Sequence, residues 1–108
     1  MVLSETDQQI VNRFKGLLHE QGVPVEDLIV FGSRARGDAE TDSDLDILIV
    51  VSRKDKEVVR IVDHCAWEIG FNESIIIQPV VMTHQQAYES PERVSLLMQA
   101  VREEGVHV

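Results

Sequence analysis

The chain has 108 residues, of which 44% are hydrophobic, and its formal net charge at pH 7 is −9. A chain of this length and composition can build one core, so we expect a single domain over residues 1–108 without space for a second. The acidic excess argues against a general nucleic-acid binder, because such proteins neutralise phosphates with Lys and Arg.

The first ten residues have neither the basic start nor the apolar centre of a signal peptide. No stretch reaches the roughly 18 consecutive apolar residues of a membrane-spanning helix. We therefore expect a cytoplasmic protein without membrane contact. Cys65, the one cysteine, cannot form an internal disulfide and lies among helix-spaced apolar residues, which favours a buried thiol over a nucleophile.

The first half of the chain alternates helix and strand patterns. Ser4 predicts the start of a helix, which continues with apolar residues at helical spacing. The apolar run Leu28–Phe31 predicts a short buried strand. A second strand is predicted from about Asp44 to Val51, and a helix over Lys54–Gly70 then crosses over to the next strand.

The second half begins with a predicted strand over Ile75–Met82. Pro79 places this strand at the sheet margin, because proline donates no backbone hydrogen bond. The remaining predicted elements are a helix opened by the capping-box pair Thr83 and Gln86, a helix opened by Ser90 and Pro91, and a terminal strand over residues 106–108. The sheet margin and the apolar stripe of the last helix are candidate surfaces for self-association or partner binding.

The most informative segment is Gly32-Ser33-Arg34-Ala35-Arg36-Gly37, which Asp44-Leu45-Asp46 follows at a fixed distance. Ten residues separate Ser33 from Asp44. Side chains alternate along a strand, so Asp44 and Asp46 should face the same side with their Cα atoms about 6.6 Å apart. Such a pair suits Mg²⁺, which proteins typically hold with one or two carboxylates together with substrate phosphates.

The same residues exclude two other motifs. A Walker phosphate loop needs Lys and then Ser or Thr after its second glycine, but Gly37 is followed by Asp38 and Ala39. A calcium loop starting at Asp42 would need glycine where Ile47 stands. The remaining alternative is a solvated acidic turn that leads into a strand.

The sequence GSRARGDAETDSDLD resembles the G-S-x10-D-x-D motif of the nucleotidyltransferase superfamily related to DNA polymerase beta, in its minimal, stand-alone form. The resemblance covers residues 28–51. It implies the nucleotidyltransferase fold, an α+β fold in which helices flank a small mixed β-sheet. The implied reaction moves a nucleoside monophosphate from a nucleoside triphosphate, with ATP as the expected donor, to a hydroxyl. Such small chains often pair with helical HEPN proteins, which implies an antitoxin-like role and a tyrosine of the partner as acceptor.

The resemblance also assigns roles to the residues of the motif. Asp44 and Asp46 would form the catalytic pair and hold Mg²⁺. Gly32 would let the backbone approach the phosphates, and Ser33 would hydrogen-bond a phosphate oxygen.

Two arginines of the motif, Arg34 and Arg36, would contact the leaving pyrophosphate through charge-assisted hydrogen bonds. One of them is alternatively structural. In the alternative without a binding role, both arginines form surface ion pairs with Asp38, Glu40 or Asp42.

One position departs from the pattern of the family. Active relatives commonly carry a third carboxylate on the next strand, and the corresponding residue here is Gln78. Glutamine cannot act as a general base, and losing that assistance typically costs a factor of about 10² to 10⁴. Glu73 or a residue of a partner is the alternative base.

Three functions therefore stay open. The first is a working nucleotidyltransferase. The second is a catalytically weakened, antitoxin-like or regulatory nucleotide-binding subunit that acts through protein–protein binding. The third is a nucleotide sensor that transfers nothing.

Overall fold

The computed structural model describes residues 3–37, 43–89 and 95–108. The elements are α1 (Glu5–Glu20), β1 (Val25–Phe31), α2 (Ser33–Arg36), β2 (Leu45–Val51), α3 (Lys56–Glu73), β3 (Ile77–Thr83), α4 (His84–Tyr88), α5 (Leu96–Glu104) and β4 (Val106–His107). The strands form a mixed sheet in the order β3-β2-β1-β4, in which β2 is antiparallel to β1 and parallel to β3. This arrangement confirms the predicted α+β fold with helices around a small mixed sheet.

The sheet carries helices on both faces, and β2 lies at its centre. Alternate residues of β2 pack towards α1 and α3, and the others towards α4 and α5. Every residue of β2 except Asp46 is consequently buried, which explains the continuous apolar run in the sequence. Asp46 is two residues from Leu48 and four from Val50, so its side chain lies on the same face of β2, towards α4 and α5.

Several predicted helix signals have the expected geometry. Ser4 caps α1 and accepts a hydrogen bond of 3.1 Å from the backbone N–H of Asp7. Thr83 and Gln86 form the predicted capping box of α4. The predicted start at Ser90 and Pro91 lies outside the described residues, and α5 is described from Leu96 onward with Ser95 as its cap.

Several boundaries differ from the prediction. β1 begins at Val25 rather than Leu28, because its ladder with β2 extends past a bulge through polar residues. The predicted end of α3 at Gly70 is wrong, since the helix continues to Glu73 and ends at Ser74 in the left-handed conformation, with φ of 57°. β3 runs over residues 77–83 instead of 75–82. The turn α2 was not predicted.

Two further expectations concern burial and the sheet margin. β3 is an edge strand, as the proline at position 79 predicts. Cys65 is fully buried, and this burial raises the pKa of its thiol, as expected for a structural cysteine. Among the helices in the described ranges, none has the length and apolar character to cross a membrane.

Candidate nucleotide and metal site

The candidate site lies at the edge of the sheet where β1 ends and where β2 and β3 begin. In the sheet register Asp46 is flanked by Phe31 of β1 and by Gln78 of β3. The side-chain amide of Gln78 donates a hydrogen bond of 3.1 Å to Oδ2 of Asp44. The structure therefore brings Asp44, Asp46 and Gln78 together, with an amide at the strand position beside Asp46.

Gly32 joins the two halves of the motif. It has a φ of +81° at the turn between β1 and α2, a conformation that favours glycine. A Cβ atom at this position would lie 2.3 Å from Oδ2 of Asp46. Glycine is thus favoured by the turn, and a larger residue would displace the carboxylate of Asp46 from its present position. Ser33, the predicted phosphate-binding hydroxyl, follows directly as the first residue of α2.

Replacing Gly32 by alanine should damage the site, and Gly37 offers a comparison. Both glycines have positive φ, but Gly32 (φ 81°, ψ −162°) lies in a region that is essentially restricted to glycine, whereas Gly37 (φ 82°, ψ 12°) lies in the ordinary left-handed region. A Cβ at Gly37 also meets no atom within 4 Å. We expect Gly37→Ala to cost only the backbone penalty of about 1–2 kcal/mol. Gly32→Ala should cost more and should displace Asp46. Urea unfolding together with Mg²⁺-dependent nucleotide binding checks this, and equal effects of the two substitutions would contradict it.

Arg34 forms a buried ion pair. Its Nη1 lies 2.8 Å from Oδ1 of Asp7 on α1, and the two side chains are only 13% and 7% exposed. Its Nε donates a hydrogen bond of 2.8 Å to the carbonyl of Ser43, the residue before Asp44. These contacts favour the structural alternative for Arg34, because the guanidinium ties α1 to the backbone that leads into the acidic pair.

Arg36 extends in another direction. Its Nη1 lies 2.8 Å from Oε2 of Glu104, at the end of α5. The side chain of Arg36 is 43% exposed, whereas that of Glu104 is 12% exposed. Asp38, Glu40 and Asp42, the partners named in the surface-pair alternative, lie outside the described residues.

The electrostatics of Asp46 suit a cation. Burial raises the pKa of its carboxyl, Asp44 and Glu104 raise it further, and Arg36 lowers it. A divalent cation would relieve this repulsion, and carboxylate and amide oxygens are the donors that Mg²⁺ prefers. Within residues 3–37, 43–89 and 95–108 no three His, Cys, Asp or Glu side chains are grouped to hold a metal. Water and substrate phosphates would complete the coordination.

Sequence reasoning missed two residues of this neighbourhood. Asp7 has the sequence pattern of an acidic residue in the first turn of a helix, and nothing in that pattern shows that its side chain is buried. Glu104 belongs to a distant helix, and its approach to Arg36 depends on how α5 packs on the sheet. Glu73, the alternative base, is paired with Arg13 of α1.

Comparison with known proteins gives two kinds of match. The family model described as "Nucleotidyltransferase domain" matches residues 11–100. A crystal structure of a toxin–antitoxin with AMP-PNP has a TM-score of 0.65 and 19% identity, covering 89% of this chain and 69% of that chain. A tri-AMPylated Shewanella oneidensis HEPN toxin in complex with its MNT antitoxin matches with a TM-score of 0.60 and 18% identity, covering 93% and 69%.

No curated protein matches the sequence. At these identities the solved structures establish a shared fold. The family model covers most of the chain, including the whole Gly-Ser and Asp-x-Asp motif and the strand that carries Gln78. The chain therefore belongs to the nucleotidyltransferase domain family.

Proposed function

We propose that this chain is a Mg²⁺-dependent nucleotidyltransferase that transfers AMP from ATP to a hydroxyl, and that the acceptor is a tyrosine of a HEPN toxin partner. Membership of the family supports the reaction class. The observation that carries the proposal is the close packing of Gly32 on Asp46, beside Asp44 and Gln78. The donor and acceptor are supported by the matched structures, one with AMP-PNP and one with an AMPylated HEPN toxin.

In the proposed reaction the acceptor oxygen bonds to the α-phosphorus of ATP. The bond from this phosphorus to the oxygen that bridges to the β-phosphate breaks, and pyrophosphate leaves with the electron pair. The proton of the acceptor hydroxyl passes to solvent or to a base of the partner, because Gln78 cannot accept it. Ser33 and Arg36 lie on the turn next to the acidic pair and are the candidate phosphate ligands.

Asp44 and Asp46 would hold the metal, with Gln78 beside them. When bound, Mg²⁺ would neutralise phosphate charge and favour ionisation of the acceptor hydroxyl. The contribution of the chain is to fix the two carboxylates. Gly32 leaves space for one of them, and Arg34 binds the backbone carbonyl that precedes the other.

The direct test is transfer of labelled AMP. The protein is incubated with Mg²⁺, α-labelled ATP and a HEPN toxin from the same genome, and both pyrophosphate and labelled toxin are measured. We expect both products, and a toxin variant without tyrosine near its active site should stay unlabelled. Binding of ATP without release of pyrophosphate would instead indicate a nucleotide sensor.

A glutamate at position 78 should raise the transfer rate. The side chain of Gln78 already lies within hydrogen-bond distance of Asp44, so Gln78→Glu would place a third carboxylate beside the acidic pair. General-base assistance is worth about 10² to 10⁴ in rate, and we expect at least a tenfold increase in kcat. Gln85→Glu, an exposed change of the same kind on α4, serves as control. Equal rates for Gln78→Glu and wild type would show that the base comes from elsewhere.

A specific surface favours a second candidate function, an antitoxin-like subunit that masks a HEPN toxin by binding it. Trp67, Phe71 and Ile76 are 65%, 72% and 61% exposed. The two aromatic rings stack with their centroids 5.4 Å apart, and together with Ile76 they line a groove that reaches Pro79 on the edge strand. Exposed apolar clusters of this kind commonly mark protein-binding surfaces, and the matched structures are toxin–antitoxin complexes.

Substituting this cluster should weaken the complex with the toxin. We expect the double variant Trp67→Ser, Phe71→Ser to lose at least tenfold in affinity, because exposed aromatic anchors contribute much of the energy of an interface. Leu96→Ser is the matched control, since Leu96 is 84% exposed on α5. Co-purification and calorimetry with a HEPN toxin from the same genome measure the effect. A larger loss for the control would assign the interface to α5.

A further inference from the structure

The end of α5 is an unfavourable place for a carboxylate. Glu104 is the last residue of the helix, where the helix dipole repels negative charge. The same carboxylate lies close enough to Asp46 to raise the pKa of that residue. Its side chain is only 12% exposed, so water screens these repulsions poorly. The ion pair with Arg36 offsets them.

The backbone around Glu104 is held firmly. Gly105 follows it, and a Cβ at Gly105 would lie 2.3 Å from the carbonyl of Val101 and 2.6 Å from Cγ2 of Ile29 on β1. Residues Val106 and His107 then pair with β1 in the sheet. Glu104 is therefore followed directly by residues that contact or pair with β1, whereas Arg36 belongs to a single helical turn.

We propose that Glu104 is a positioning residue, which holds the guanidinium of Arg36 in the orientation that binds the triphosphate. The inference rests on the proposed function, since it assumes that Arg36 contacts the nucleotide. A carboxylate that pairs with one side of a guanidinium fixes the plane of the group, and charge-assisted hydrogen bonds to phosphate depend on the orientation of that planar fork. A fixed arginine also loses less conformational entropy on binding than a mobile one. The C-terminal helix would thus contribute to nucleotide affinity without touching the nucleotide.

Calorimetry with Mg²⁺ and an α,β-non-hydrolysable ATP analogue tests the inference. Four proteins are compared, namely the wild type, Glu104→Gln, Arg36→Ala and the double variant. We expect Glu104→Gln to weaken binding about tenfold, by analogy with the outer-shell partners of metal ligands, whose loss costs about 10- to 100-fold. In the Arg36→Ala background the same change should cause no further loss. A merely structural carboxylate would give additive losses instead.

The control is Glu103→Gln, which removes the same charge from an exposed neighbour on α5 and should leave the affinity unchanged. If Glu104→Gln does not fold, the pair is tested at its arginine instead. Arg36→Lys keeps the positive charge but lacks the planar fork that the carboxylate orients. It should bind about tenfold more weakly than wild type. Wild-type affinity in both variants, or tighter binding by Glu104→Gln, would overturn the inference while leaving the proposed function intact. Failure of the wild type to bind the analogue would overturn both.

Discussion

The double variant Asp44→Asn, Asp46→Asn should lose AMP transfer. In the proposed site the two carboxylates would be the negative ligands of Mg²⁺, and an amide is a much weaker ligand. A metal ion contributes several kcal/mol to stabilising phosphoryl-type transition states, so we expect a fall of at least about 10³-fold in turnover. Pyrophosphate release with Mg²⁺ and ATP, and calorimetric binding of ATP, measure the loss.

Stability provides the control for this variant. The raised pKa of Asp46 means that the folded protein binds this proton more tightly than the unfolded chain does. Asp46 therefore stabilises the metal-free fold at acid pH, and this contribution is lost as the pH rises through the raised pKa. Asp46→Asn should remove this dependence of the free energy of unfolding on pH. The variant should be at least as stable as wild type at neutral pH. Unfolding in EDTA between about pH 4 and pH 7 checks it, and a strongly destabilised variant would attribute the lost activity to misfolding.

Breaking the buried pair between Asp7 and Arg34 should produce the largest loss of stability. Both side chains are nearly excluded from water, so Asp7→Asn removes a negative partner of a buried guanidinium. Removing one member of a buried ion pair typically costs about 3–5 kcal/mol. Arg34 also holds the carbonyl of Ser43, so the path of the chain into Asp44 should loosen. We therefore expect lower nucleotide affinity at temperatures where the variant is still folded.

The matched control is the exposed pair of Glu57 and Arg60 on α3, whose side chains are 63% and 67% exposed. Glu57→Gln should change the free energy of unfolding by less than about 1 kcal/mol, because water screens such pairs. Urea unfolding of both variants gives the comparison. Similar small effects at the two positions would contradict the expected difference between the buried and the exposed pair.

The sequence predicted the parts of this protein that depend on local patterns. Ser4 and the capping box of α4 are signals encoded within four residues, and the alternation around Asp46 follows from strand geometry. The register that places Gln78 beside Asp46 was inferred only from spacing, and β2 and β3 pair in that register. The roles of these residues in catalysis remain predictions.

What the sequence could not predict depends on contacts between distant elements. The sequence pattern predicts the end of α3 at Gly70, but the helix continues to Glu73 and is capped by Ser74. The alternative in which the two motif arginines form surface ion pairs names only acidic residues nearby in sequence. Arg34 instead pairs with Asp7 and Arg36 with Glu104, from helices at the two ends of the described chain.

The position of β4 has a consequence for the order of folding. β1, β2 and β3 follow one another in sequence and pair with their sequence neighbours. β4, by contrast, is the last strand of the chain and pairs with β1, the first. Contacts between residues far apart in sequence form late, because closing a long loop costs more entropy. We expect the amides of β4 to exchange with deuterium faster than those of β1 and β2 during native-state fluctuations, and equal protection would refute this. A nascent chain could then complete most of its core before Glu104 comes within reach of Arg36.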